Sequence, residues 1–114
     1  MPRSNSGQQH IVICDPSNGT ANPDPVRVTG PNAKLIFKLK SPGQWQWSGT
    51  NPITIGGNPP PGRFGGGSVG DDGHVHFDNS NDANASHPYT FSAVARAGGA
   101  RVDIDPTIQN SDSN

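Results

Sequence analysis

His74 and His76 stand two residues apart, a spacing that on a β-strand presents both imidazoles on one face. Strands donate histidine pairs in this way to zinc, copper or iron, and His87, Asp72 or Asp78 could supply a third ligand. On that reading the chain is a metal-binding protein or a metal-dependent enzyme carrying a divalent transition metal. The chain contains no glutamate, so no Glu stands downstream of the pair to complete such a strand-borne site. Alternating histidines also occur on solvent-facing sheet surfaces that bind nothing, and the leading expectation is a protein without a cofactor.

Arg63 and Phe64 form the second constellation. They lie in the widest break in patterning, Gly56 to Gly73, beside Pro59-Pro60-Pro61 and Gly65-Gly66-Gly67. A structureless loop of that length in a small domain is usually functional or disordered, and a cation next to an aromatic ring can stack on a sugar, a base or a partner's surface. The plainer reading has Phe64 anchoring the loop and Arg63 in water. Gly66-Gly67-Ser68-Val69-Gly70 satisfies the G-x-S-x-G pattern, but neither the entering strand nor the leaving helix of a nucleophile elbow flanks it. The oxygen-rich stretch Asp71, Asp72, Asp78, Asn79, Asn81, Asp82 and Asn84 could in principle ligate calcium. After Asp78, Ser80 and Asp82, however, it has Ala83 where a calcium loop turns on glycine and no closing glutamate, so Asx turns account for it. Trp45 and Trp47 suggest a third class, a carbohydrate-binding module with an indole platform. Their alternation with Gln44, Gln46 and Ser48 instead puts both rings in the core.

The elements that must carry these residues are strands. Leucine occurs only at Leu35 and Leu39, no stretch has helical periodicity, and apolar residues fall at alternate positions in short runs bounded by turn residues. Strands are predicted at about 10–14, 25–29, 33–40, 44–48, 52–56, 74–78, 89–97 and 100–108. Alternation directs Ile11, Ile13, Val26, Val28, Trp45, Trp47, Ile53, Ile55, Val75, Phe77, Phe91, Ala93, Ala95, Val102 and Ile104 inward. Cys14 shares parity with His10 and Val12 and is therefore expected to be partly exposed. Lys34, Lys38 and Lys40, with Arg27 on the preceding strand, could make a basic stripe on an outer or edge strand. The expected fold is all-β: a single immunoglobulin-like β-sandwich of about seven to eight mostly antiparallel strands with long Gly/Pro-rich loops. Tyr89, which follows a polar turn and opens a late strand, resembles the tyrosine that caps a sandwich corner by bonding its hydroxyl to backbone.

At 114 residues the chain makes one domain, expected over 10–110, with disordered tails at 1–9 and 111–114. A formal net charge of -1 provides no long-range field for nucleic acid, which is disfavoured as a partner. No run is long and apolar enough to span a membrane, and no secretory signal opens the chain, so a cytoplasmic location is expected. A protein or small-ligand partner, or self-association through a strand edge, fits an all-β chain of this kind. A single cysteine excludes an internal disulfide.

The closing segment Val102-Asp103-Ile104-Asp105-Pro106-Thr107-Ile108-Gln109-Asn110 resembles the Asp-Pro-x-Ile-x-Asn ending of small bacterial proteins called the DP-EP family. Trp45-Gln46-Trp47, Pro52-Ile53-Thr54-Ile55 before Asn58-Pro59-Pro60, and Tyr89-Thr90-Phe91-Ser92-Ala93 are similar to its succession of strands. Ser111 and Asp112 stand where that pattern ends in Glu-Pro. The resemblance implies a compact β-sandwich and assigns no activity. With no assembled catalytic group, the sequence favours a non-enzymatic binding or structural module, with the metal and carbohydrate readings as alternatives.

Overall fold

Turn chemistry and two-residue alternation do divide this chain into strands. The computed structural model describes residues 9–29, 32–57, 59, 62–81 and 84–111, and among them it has eleven strands and no helix. They form two mixed sheets packed against one another. The first runs β2 (Thr20–Asn22), β1 (Gln9–Asp15), β4 (Ala33–Leu39), β8 (Val75–Asn79) and β7 (Phe64–Val69), with β1 parallel to β4. The second is organised on β9 (Ala85–Ala95), the longest strand. Apart from Gln9 and Ser111, the expected tails lie outside the described residues.

The pairing along β9 is interrupted on both of its edges. Strands β10 (Arg101–Ile104) and β11 (Thr107–Asn110) follow it in a single register, with Ile104 opposite Phe91 and Thr107 opposite Pro88. Between them the Tyr89 N–H donates to the Pro106 carbonyl at 2.9 Å, so a proline that cannot donate interrupts the strand without breaking its alignment. Strands β5 (Trp45–Trp47) and β6 (Ile53–Ile55) pair with β9 in different registers, Trp47 opposite Ala93 and Ile53 opposite Phe91. Residues 48–52 therefore loop outward opposite Ser92, which accepts from the Ser48 N–H and donates its own N–H to the Pro52 carbonyl. Strand β3 (Val26–Val28) completes this sheet, parallel to β11.

The core joins Val12, Leu35, Phe37, Val75 and Phe77 of the first sheet to Val28, Tyr89, Phe91 and Ile108 of the second. Burying each large side chain contributes roughly 1.5–3 kcal/mol. Parity on β1 is the reverse of the expectation: Val12 and Cys14 are fully buried, whereas Ile11 is 46% exposed. The run Ile11-Val12-Ile13-Cys14 is apolar throughout and carries no alternation of its own. The parallel register decides, setting Val12 beside Phe37 and Ile11 beside Ile36 on the outer face. Cys14 is thus a core residue, and burial pushes its thiol pKa up to about 12. Tyr89 also departs from expectation, because it lies within β9 and its buried hydroxyl has no hydrogen-bond partner among the described residues.

The expected loop from Gly56 to Gly73 contains β7. Its glycines concealed it, and the same glycines allow it. Gly66 and Gly67 have φ of 87° and 101° at an irregularity in the β7–β8 pairing. A Cβ on Gly67 would stand 2.7 Å from the Phe77 ring, and one on Gly66 would stand 2.7 Å from the His76 carbonyl. The basic stripe does not form: β4 is central in its sheet, Arg27 belongs to the other sheet, and Lys34 pairs with Asp78 at 3.2 Å.

At one end of the interior three asparagines join the sheets. Asn79 and Asn110 exchange amide hydrogen bonds, Asn79 Oδ1 also accepts the Asn81 N–H at 3.0 Å, and Asn81 Nδ2 donates to the carbonyls of Val28 and Ser111. The C-terminal segment singled out in the sequence is therefore structural. Ile108 is core, Asn110 is fully buried, and Asp105 Oδ1 accepts from Thr90 Oγ1 at 2.6 Å.

Candidate functional site

Trp45 and Trp47 share one face of β5, as alternation requires, and pair with Ala95 and Ala93 of β9. A cleft of about 390 Å³ opens there, within the range of about 300–1,000 Å³ usual for small-ligand sites. Both indoles line it, and both are half-buried. Leu39 and Val69 extend the apolar floor, while Gln46, Thr50, Asp72, His74 and Arg96 form its polar margin.

Each wall has a local cause. The turn after β1 is held by Asp15, whose Oδ1 and Oδ2 accept from the backbone N and Nδ2 of Asn18. That turn presents Ser17, whose Oγ accepts the Trp45 Nε1–H at 2.9 Å. The β7–β8 turn is closed by Gly70 N donating to the His74 carbonyl at 2.8 Å, and its Gly73 carbonyl accepts the Trp47 Nε1–H at 2.9 Å. Trp47 also packs edge-on against Phe91, with centroids 6.3 Å apart. The outward loop at 48–52 brings the Thr50 carbonyl to the Val69 N–H at 2.9 Å, so it joins the two sheets beside the cleft. Arg96 is fixed by Nε donating to the Pro42 carbonyl at 2.7 Å.

Asp72 is held on both of its oxygens. Its Oδ1 accepts the His74 backbone N–H at 2.9 Å, and its Oδ2 lies 2.9 Å from His76 Nε2. The His74 N–H, and then His76, hold its carboxyl below the usual carboxylate range. His74 lines the cleft, and His76 projects from the exposed face of β8.

His87 is elsewhere. It is buried on the inner face of β9, where Nε2 accepts from Arg63 Nη1 at 3.2 Å and the ring meets Phe64 edge-on with centroids 5.0 Å apart. Burial, then the Arg63 charge, lowers its pKa. An arginine only donates, so His87 is neutral with its proton on Nδ1, a buried atom with no hydrogen-bond partner among the described residues. The structure thus gathers Arg63, Phe64 and His87 into one cluster and leaves His74 and His76 in another. Among the described residues no three His, Cys, Asp or Glu side chains converge as a metal would require. Arg63 and Phe64 also border a second cleft, of about 530 Å³, where Lys34 pairs with Asp78 and Arg63 donates to the neutral His87 ring. Ser68 sits exposed on β7 with Asn51 Oδ1 as its partner at 3.4 Å, far from the geometry of an activated nucleophile.

Sequence reasoning named both tryptophans and His74, treated Asp72 only as a metal ligand, and missed Thr50, Arg96 and the cleft itself. The one available signal was the pair of indoles itself, because Trp45 and Trp47 line the cleft together with residues distant from them in the chain. Among the described residues no helix is long and apolar enough to cross a membrane. No family model matches the chain, and no curated protein matches it either.

Proposed function

We propose that this chain is a non-enzymatic binding module, immunoglobulin-like in layout, that holds a small organic ligand in the cleft of Trp45 and Trp47. The observation that carries the reading is the tethering of both indoles: each N–H is bonded within the protein, at Ser17 and Gly73, so the rings are fixed at the edge of the sandwich and contribute carbon surface to an open cleft. Two packed sheets with a long central β9 support the layout, and the resemblance to DP-EP proteins agrees with it. Benzyl alcohol, an uncharged probe with one aromatic face and one hydroxyl, tests the site by nuclear magnetic resonance. Its titration into ¹⁵N-labelled protein is expected to shift the indole N–H signals of Trp45 and Trp47 and the amide of Gly73 first. Shifts centred on Arg63 and Phe64, or spread evenly over the surface, would remove the cleft as the site.

A further inference from the structure

We propose that the occupant of the tryptophan cleft is a neutral pyranose sugar, free or at the end of a glycan; the proposal rests on the reading of that cleft as the binding site. The floor and the margin make opposite demands. Trp45 and Trp47 have spent their only donors on Ser17 Oγ and the Gly73 carbonyl, so the rings pack best against C–H groups. The margin has a carboxylate acceptor in Asp72, the Thr50 hydroxyl, and the donors of Arg96 and the Gln46 amide, with Gln46 Oε1 accepting from Arg96 Nη1 at 3.4 Å. A ligand that satisfies both has one apolar face and a perimeter of groups that donate as well as accept. A pyranose has that form, with axial C–H bonds on its faces and hydroxyls around its edge.

Rival chemistries each leave a cost. A hydrocarbon would desolvate Asp72 and Arg96 without bonding either. A quaternary ammonium, the other ligand that aromatic rings and a carboxylate collect, would lie against the Arg96 guanidinium. A phosphate ester would lie against Asp72 in a protein of net charge -1. One fixed charge of each sign suits a neutral polyol. Asp72 is suited to accept its hydroxyls, because the His74 N–H and the His76 ring orient its two oxygens while each keeps a lone pair unspent. The volume of about 390 Å³ accommodates a ligand of this small size.

The test is a set of parallel titrations of ¹⁵N-labelled protein with methyl β-D-glucopyranoside, cellobiose, maltose and diacetylchitobiose, alongside tetramethylammonium chloride, glucose 6-phosphate and benzyl alcohol. At least one neutral saccharide is expected to give saturable shifts at Trp45, Trp47, Gly73 and His74. Trp45→Ala and Asp72→Ala, checked for unchanged circular dichroism, should each weaken it about tenfold or more. Saccharide binding undisturbed by both variants would overturn the proposal, as would preferential binding of tetramethylammonium or glucose 6-phosphate. Shifts with benzyl alcohol but with no saccharide would overturn the sugar and leave the cleft standing. Silence from every probe, benzyl alcohol included, would overturn both.

Discussion

Asn79 on β8 and Asn110 on β11 exchange two side-chain hydrogen bonds, Asn79 Nδ2 to Asn110 Oδ1 at 2.7 Å and Asn110 Nδ2 to Asn79 Oδ1 at 3.1 Å, in fully buried space between the sheets. A buried primary amide is tolerated only when its donors and acceptor are matched, and here each asparagine serves largely as the other's solvent. The pair therefore fixes how the two sheets meet at the end away from the tryptophans.

Removing one partner should cost more than half of what removing both costs. Asn110→Ala leaves Asn79 Nδ2 without the acceptor it has in the native protein and is expected to destabilise by about 1–3 kcal/mol. The double variant Asn79→Ala/Asn110→Ala should fall short of the sum of the singles by about 0.5–3 kcal/mol. Urea denaturation of the three variants measures both quantities, and strict additivity would show that the amides do not act as a pair.

Gly67 makes a sharper prediction about β7. Gly67→Ala puts a methyl group 2.7 Å from the Phe77 ring at a φ of 101°, and the strain should cost about 2 kcal/mol or more. Gly65→Ala, where nothing lies within 4 Å of the added carbon, should cost well under half as much. Thermal denaturation of the two variants compares them directly.

His87 links stability to pH. Its pKa is lowered in the folded protein by burial and by Arg63, so the unfolded chain binds the proton more readily. The contribution of neutral His87 is complete above the ordinary value of 6.5 and is lost as pH falls below that value toward the lowered folded one. His10, also lowered by burial, adds to the same slope. Denaturation midpoints between pH 7.5 and pH 5, values chosen as roughly bracketing the ordinary histidine range, should fall with pH, and less steeply in His87→Phe.

Cys14 should behave as a core residue. With no exposed surface and a pKa of about 12, its thiol is expected to resist an aromatic disulfide reagent in native buffer and to react fully in urea. Rapid native labelling would place β1 in the opposite register parity.

The strands with clean alternation were legible in the sequence: β4 and β8 lie where Ala33, Leu35, Phe37 and Leu39, and Val75 and Phe77, place them. Three features were not, for physical reasons. Ile11-Val12-Ile13-Cys14 has no polar beat, so only its pairing with β4 sets its inner face. Strand β7 has glycines where a pattern would need side chains, because Phe77 and the His76 carbonyl fill that space. The cleft is walled by Trp45 and Trp47, the 48–52 loop opposite Ser92, the β7–β8 turn and Arg96, segments far apart in the chain. The histidine spacing did not reveal its neighbours: His74 precedes β8 and lines the cleft, His76 stands on the exposed face of β8 with Asp72 Oδ2 at 2.9 Å, and His87 turns inward to Arg63 and Phe64.

Whether Trp45 and Trp47 floor an open cleft or seal a core is decided most directly by acrylamide quenching of tryptophan fluorescence in Trp47→Phe and Trp45→Phe, each of which leaves one indole. Both indoles should quench at rates between those of a free and a buried tryptophan, and benzyl alcohol should slow the quenching of each. Quenching as slow as that of a sealed core indole, unchanged by the probe, would contradict the account.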